Sequence, residues 1–445
     1  MSEARPTKFI IVGGGLGGAL LGAYLGRAGH QVDVYEMRDD PRTTGIAGGR
    51  SINLALSYRG LCALEPVGLA GEVLGMAVPM RGRMIHSPSG NTTFQPYGVD
   101  DSQAINSVSR GGLNVVLLNT AAKYPGVRLF FNAKCTDVSL DQGAVELVDT
   151  KSGKCFSASA DVVLSVDGAF SAVRRVMQRH DRFNYSQEYL DHGYKELTIP
   201  GGAGGAFQLE KNALHIWPRR SFMMIALPNS DGSFTCTLFW PFEGPHSFAS
   251  ISNEADLRRF FERQFPDALP LMPNLAEDYF GHPTGSMVTV RCSPWHVANR
   301  VALLGDAAHA VVPFYGQGMN AAFEDVLVLD QCIRQWAPDW GRIFTTFETS
   351  RRPNTDALAD LAIHNFVEMR DHTGSKRFRL KKKAEKALAR LLPGLFVPLY
   401  TLVTFTRTPY VEAVRRAKLQ VRAVALAIAS LMLLALAIIL GLARR

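Results

Sequence analysis

The chain is poor in the features that mark several large protein classes. None of its six cysteines (Cys62, Cys135, Cys155, Cys236, Cys292 and Cys332) stands close to another. That excludes a disulfide framework and the paired spacing of a zinc site. His192, His215 and His296 have no metal-like companions, and no metal is expected. There is no internal repeat and no low-complexity tract, so the 445 residues read as a folded protein of two or three units. No apolar leader precedes the first strand, KFIIVGG, and the body is expected to face a reducing compartment. A basic recognition helix is also missing, although the net charge is +8. The charge is a C-terminal property: residues 376–422 hold thirteen Lys and Arg against Glu385 and Glu412, while residues 1–375 are at −5. No nucleic-acid partner is expected from that distribution.

One long apolar run is present. Residues 423–443, AVALAIASLMLLALAIILGLA, carry no charge. As a helix the run would be about 31 Å long, matching the ~30 Å hydrocarbon core of a bilayer. It is apolar all round, unlike a helix packed on a protein surface. Arg415, Arg416, Lys418 and Arg422 precede it and fit a basic cluster facing anionic lipid on the cytosolic side; Arg444 and Arg445 follow it. The expectation is a C-terminal membrane anchor, with 376–422 touching lipid and the body left in the cytosol.

The body opens with a strand, a helix and a second strand, a β-α-β unit of a parallel sheet. Gly13-Gly14-Gly15-Leu16-Gly17-Gly18 satisfies G-x-G-x-x-G between the first strand and the helix. Glycine there lets the backbone approach a pyrophosphate, whose charge the helix N-terminus favours. Glu36 ends the second strand, placed to accept from ribose hydroxyls. Residues 51–75 read as helical. MRGRMIHS (80–87) alternates as a strand that would put Arg81 and Arg83 on one face. Residues 190–245 read as a mostly antiparallel sheet, 254–266 as an amphipathic helix, and 320–370 as helical. Two further strands end in acids, at Asp167-Gly168 and at Gly305-Asp306. An acid at a third strand end can bind the ribityl chain of FAD, which NAD lacks. The expected fold is α/β: a discontinuous Rossmann-type FAD-binding domain (1–75, 101–185 and 290–370), with a mostly antiparallel substrate domain (76–100 and 186–289). A basic helical region (371–422) and a transmembrane helix (423–443) follow.

The three motifs, in this order, resemble those of the single-component aromatic flavoprotein hydroxylases. Within them, the chain resembles the kynurenine 3-monooxygenase family. The stretches that carry the resemblance are GRSINLALSYRG (49–60), MRGRMIHS, QPYG (95–98), HGYKELTIP (192–200), LHIWPR (214–219), FMMIALPN (222–229), FTCTLFWPF (234–242), GDAAHAVVPFYGQGMNAAFED (305–325) and PLYTLVTFTR (398–407). The resemblance implies that NADPH reduces FAD, that the flavin captures O₂ as a hydroperoxide, and that L-kynurenine is hydroxylated ortho to its ring amino group. It implies no certain catalytic side chain, since the chemistry is the flavin's. It implies a substrate site of Arg83, Tyr97, Asn365 and Tyr400, with Tyr315 near the aromatic end. The implied cofactor contacts are Gly13, Gly15, Leu16, Gly18, Glu36, Arg38, Ala55, Arg110, Asp306, Gly316, Gln317, Gly318, Met319 and Asn320. His309 is expected to pack beside the flavin rather than act as a base.

Two rival readings share parts of this pattern. One is a sister hydroxylase of another aromatic amine or phenol; the other is a non-catalytic flavin-binding membrane adaptor. A separate nicotinamide domain is not expected, for no second Rossmann unit is visible. For a eukaryotic source, the expected membrane is the mitochondrial outer membrane. Nothing in the sequence sets an oligomeric state.

Overall fold

The computed structural model describes residues 6–43, 53–98, 103–372 and 376–442. The first four residues of GRSINLALSYRG, as well as Ala443, Arg444 and Arg445, lie outside them. The central layer is a six-stranded sheet in the order His296–Val297, Val301–Leu303, Val162–Ser165, Lys8–Val12, Gln31–Tyr35 and Val127–Phe130. All its pairings are parallel except the His296–Val297 edge. Parallel strands are covered on both faces, which is why they read as continuous apolar runs: Phe9, Ile10 and Ile11 are fully buried, as are Val162, Val163 and Leu164.

A seven-stranded sheet stands beside it, in the order Gly285–Ser293, Asn184–Ile199, Phe234–Pro241, Met223–Pro228, Ala213–Pro218, Gly82–His86 and Thr92–Pro96. It is antiparallel apart from one pair, Ala213–Pro218 with Gly82–His86. That parallel pair recruits an early strand, the one bearing Arg83, into a sheet otherwise formed by later residues. One apolar cluster of this unit includes Trp217, Phe234, Trp240, Phe261 and Phe265. Helix Glu254–Gln264 contributes Leu257 and Phe261 to it, with Asn253 capping the helix by accepting from the Asp256 N–H.

Two local expectations differ from the structure. Asn53–Leu56 is a strand, not the start of a helix; it pairs with Ile105–Ser109, a distant partner that overrides local preference. Arg81 and Arg83 do not share one strand. The chain breaks at Arg81 between Val78–Met80 and Gly82–His86, which belong to different sheets, and Arg81 is exposed.

Helices Gly318–Trp336 and Trp340–Val367 pack together over the junction of the two units. A second apolar cluster, including Ile216, Phe239, Phe314, Tyr315, Phe366, Leu402 and Tyr410, joins the seven-stranded sheet to the long helix and to the C-terminal segment. The last helix, Tyr410–Leu442, is continuous. Its first residue is fully buried, whereas Leu431 is 65% exposed, and the exposed apolar stretch is long enough to cross a membrane.

Candidate active site

The glycine loop forms a cradle that no side chain could share. A Cβ on Gly18 would lie 1.9 Å from the Gly13 carbonyl oxygen, and one on Gly13 would lie 2.6 Å from the Val166 carbonyl oxygen. Gly13 also has φ +103°, a conformation that favours glycine. Gly15 faces open space, with nothing within 4 Å of its Cβ direction. Helix Leu16–Arg27 begins there without a side-chain cap or an acid in its first turn, so its N–H groups and positive end remain for an anion. Leu16 packs partly against the core. Glu36 closes the cradle: its Oε2 accepts from the Gly14 N–H at 2.8 Å and its Oε1 from the Arg38 N–H at 3.0 Å. The Arg38 side chain is 75% exposed.

The Asp-Gly motif braces this cradle from within the protein. Asp167 accepts from Ser165 Oγ at 2.5 Å and from the Ala172 N–H at 2.7 Å, while Ser171 caps the following helix. Arg174 then donates to the carbonyl of Ala307 at 2.7 Å, next to Asp306. Asp306 is solvent-accessible yet deeply set, and burial raises its carboxyl above the usual carboxylate range; His309 and Arg110 oppose the rise and Asp325 adds to it. Arg110, exposed at the start of helix Arg110–Ala122, therefore lies within electrostatic reach of Asp306 although 196 residues separate them in sequence.

At the other end of the same motif, Gly316 has φ +64°, and a Cβ there would meet the Ala55 Cβ at 3.0 Å. Helix Gly318–Trp336 starts two residues later, again without a side-chain cap. Its first turn presents the N–H groups of Gly318, Met319 and Asn320. The Asn320 side chain is used inside the protein: it accepts from the Ser57 N–H at 2.9 Å and donates to the carbonyls of Ala55 and Gly316, each at 2.8 Å. Gln317 is likewise buried, its Oε1 accepting from Tyr410 at 3.2 Å and from Ser57 at 3.4 Å. These two side chains hold the shape of the turn. Together the backbone cradle, the two uncapped helix starts and the accessible Asp306 fit FAD, for they would offer groups suited to its pyrophosphate, ribityl chain and ring edge.

A second site is made of rings and one cation. Tyr97 and Tyr400 are stacked with centroids 5.3 Å apart, and Tyr315 stacks on Tyr400 at 5.6 Å. The Arg83 guanidinium lies 4.9 Å from the Tyr400 ring centre and 5.7 Å from that of Tyr97. Burial works against the charge on Arg83, but Tyr400, Tyr97 and Glu368 favour it, and the balance holds the guanidinium protonated. Arg83 forms no ion pair among the described residues, and its Nε and the Tyr97 hydroxyl are sealed, unpartnered donors. Burial also raises the Tyr97 and Tyr315 hydroxyls, so both stay protonated. A half-buried cation with idle donors fits a carboxylate, which guanidinium pairs with bidentately. Asn365 is placed at the Tyr315 end: its Nδ2 donates to the Phe314 carbonyl at 2.6 Å, one turn before the π-helical segment Glu368–His372.

Two supporting networks were not visible in the sequence. His215 Nε2 donates to the Glu210 carbonyl at 2.8 Å, His86 Nε2 lies 2.9 Å from His215 Nδ1, and His86 Nδ1 lies 2.5 Å from Asp267. A carbonyl only accepts, so His215 carries its proton on Nε2 and turns Nδ1 to the His86 ring. This chain anchors the strand that carries Arg83. The other network is a buried run of charges: Arg59 pairs with Glu324, which with Asp325 holds Arg351, and Asp325 also accepts from His309 and from the Gly305 N–H. His309 is thus held against Asp325 and the Trp295 ring. The only sequence signal was the adjacent acids Glu324 and Asp325 inside the apolar helix FEDVLVLD.

The fold has counterparts among known proteins. The FAD binding domain family model matches residues 6–189 and 278–362. Among solved structures, a 2-methyl-3-hydroxypyridine-5-carboxylic acid oxygenase superposes with a TM-score of 0.67 at 20% identity, over 92% of this chain and 98% of its own. Pseudomonas aeruginosa PqsL in complex with 2-aminobenzoylacetate gives 0.67 at 20% identity, over 82% and 97%. The fold is that of an FAD-binding aromatic hydroxylase. Proteins named kynurenine 3-monooxygenase from Myxococcus xanthus and Sus scrofa are 54% and 45% identical, covering 92% and 93% of this chain and 88% and 87% of their own lengths. The chain belongs to the kynurenine 3-monooxygenase family.

Proposed function

We propose that this protein hydroxylates L-kynurenine to 3-hydroxykynurenine with NADPH, FAD and O₂, and that the observation carrying the substrate assignment is Arg83. A protonated guanidinium with an idle Nε and no acid partner, set among Tyr97, Tyr400 and Tyr315, suits a substrate with a carboxylate at one end and an aromatic ring at the other. Arg83 and Tyr97 would bind the amino-acid head, Tyr400 would stack beside it, and Asn365 and Tyr315 would shape the far end. FAD would be held by Gly13, Gly15, Leu16, Gly18, Glu36 and Arg38 at its adenosine diphosphate half. Ala55, Arg110, Asp306 and Gly316 to Asn320 would hold its flavin half. Bound FAD, reduced by NADPH, supplies the oxygen-activating chemistry; the ring amino group of the substrate already activates the carbon to be attacked. The protein's part is to orient the ring, exclude water and present helix-start N–H groups to the ring edge that becomes negative on reduction.

The domain division proposed is the discontinuous FAD unit, the inserted sheet unit, the basic C-terminal region and the anchor. The helix from Tyr410 onward would insert its exposed apolar stretch into a membrane, with the basic residues before it on anionic lipid and the body in the cytosol. In a eukaryotic source that membrane would be the mitochondrial outer membrane. The test is NADPH oxidation by purified protein with and without L-kynurenine, following 3-hydroxykynurenine. Substrate-dependent product is expected; flavin-loaded protein that makes none overturns the proposal.

A further inference from the structure

The first residue of the helix carrying the apolar span reaches the turn that faces the flavin. Tyr410 is fully buried, and its hydroxyl donates to Gln317 Oε1 at 3.2 Å. Ser57 Oγ donates to the same oxygen at 3.4 Å. The two hydroxyl protons find their acceptor in Oε1, which sets the oxygen on that side and turns the NH₂ the other way. No protein group accepts from that Nε2 among the described residues, and it is not sealed in the interior. Tyr410 is itself firmly seated. Arg59 lies 4.1 Å over its ring and donates to the Thr408 carbonyl at 2.7 Å, just before the helix begins. Through Glu324, Arg351 and Asp325, the same buried network holds the Gly305 N–H beside Asp306.

We infer that Tyr410, with Ser57, is a positioning residue: it sets the Gln317 amide so that its NH₂ donates to the flavin ring in the cleft. The inference rests on the FAD reading above. It makes the root of the apolar helix part of the cofactor site. A neutral donor directed at a ring edge that gains negative charge on reduction stabilises the reduced form over the oxidised one.

The experiment uses full-length protein in detergent. FAD is removed and titrated back, following quenching of flavin fluorescence, and the absorption spectrum and midpoint potential of the bound flavin are recorded. Tyr410→Phe deletes only the hydroxyl and keeps the ring beneath Arg59. It is expected to weaken FAD binding about 5-fold, the worth of one neutral hydrogen bond, and to lower the midpoint potential while the melting temperature holds. Ser57→Ala should act in the same direction and more weakly. Gln317→Glu, which keeps the acceptor and replaces the donor, should lower the potential most. In the double variant Tyr410→Phe/Gln317→Ala, the first substitution should add nothing to the second. Wild-type affinity and potential in both Tyr410→Phe and Ser57→Ala overturn the inference, as do additive effects in the double variant. A wild-type protein that binds no FAD overturns the cofactor reading itself, and that outcome is seen before any variant is made.

Discussion

The cleft that fits FAD is made mostly of backbone, whereas the pocket around Arg83 is made of side chains. Each half of the cleft comes from one short stretch: residues 13–18 with Glu36, and residues 305–320 with Ala55 and Arg110. Its working parts are close backbone approaches and uncapped helix starts. The pocket draws single side chains from positions 83, 97, 315, 365 and 400, and their joint use depends on a parallel strand pair and on a C-terminal segment packed beneath it. A backbone site is broken by adding atoms, and a side-chain site by removing them.

The largest effect should come from the pocket. Arg83→Ala is expected to lower kcat/KM for L-kynurenine roughly 1,000-fold, on the order of 4 kcal/mol, because it removes one partner of a desolvated charge pair. Flavin absorbance should persist; loss of flavin in steady-state and spectral measurements would break the separation of the two sites. Arg83→Lys should recover little, since an ammonium cannot form the fork.

Gly18→Ala tests the opposite half. Its Cβ would sit 1.9 Å from the Gly13 carbonyl oxygen, so the loop must shift. FAD affinity should fall on the order of 10- to 100-fold, corresponding to overpacking of ~1–3 kcal/mol. Fluorescence titration reads that loss, and the protein still loaded with FAD should keep the wild-type KM for kynurenine.

The support beneath the pocket should show in the pH dependence of stability. Burial lowers the pKa of His215 from 6.5 to about 4. A base with a depressed folded pKa takes up a proton more readily when unfolded. Its stabilising contribution is therefore full above pH 6.5 and is lost as the pH falls towards 4. The loss should be on the order of 2–3 kcal/mol. Urea unfolding on both sides of that window should show it, and His215→Gln should flatten the slope.

Asp306 has the reverse sign. Its raised folded pKa means the folded protein holds the proton more tightly, so stability falls as the pH rises through the interval above 3.8. At neutral pH, Asp306→Asn should raise the melting temperature of the FAD-free protein by about 1–2 °C while weakening FAD binding. The smallest effect expected is that of Tyr315→Phe. The ring stays stacked on Tyr400, and KM should change less than about 3-fold in a substrate titration.

The cofactor half was legible because its chemistry is local. G-x-G-x-x-G between a strand and a helix, an acid after the second strand, and an acid and a glycine turn in GDAAHAVVPFYGQGMNAAFED all keep their meaning when read alone. The inward use of the Asn320 amide and of the Gln317 amide oxygen was not legible, for an amide in a glycine turn looks the same whether it faces ligand or protein. Only the contacts with Ser57, Ala55 and Tyr410 distinguish the two. Asn53–Leu56 was misread for the same reason: four residues take their state from a partner strand more than fifty positions away.

By itself, the sequence determined the parallel nucleotide-binding core, the three cofactor motifs and the apolar C-terminal run, because each rests on periodicity or on backbone freedom within a few residues. The tertiary structure alone decided that Arg83 keeps its charge without a direct ion pair among the described residues, that Arg81 does not join it on one strand, and that Tyr410 roots the last helix at Gln317. Those outcomes depend on which distant groups share a low-dielectric space, and burial and partnering there arise only once the two sheets and the C-terminal helices have packed.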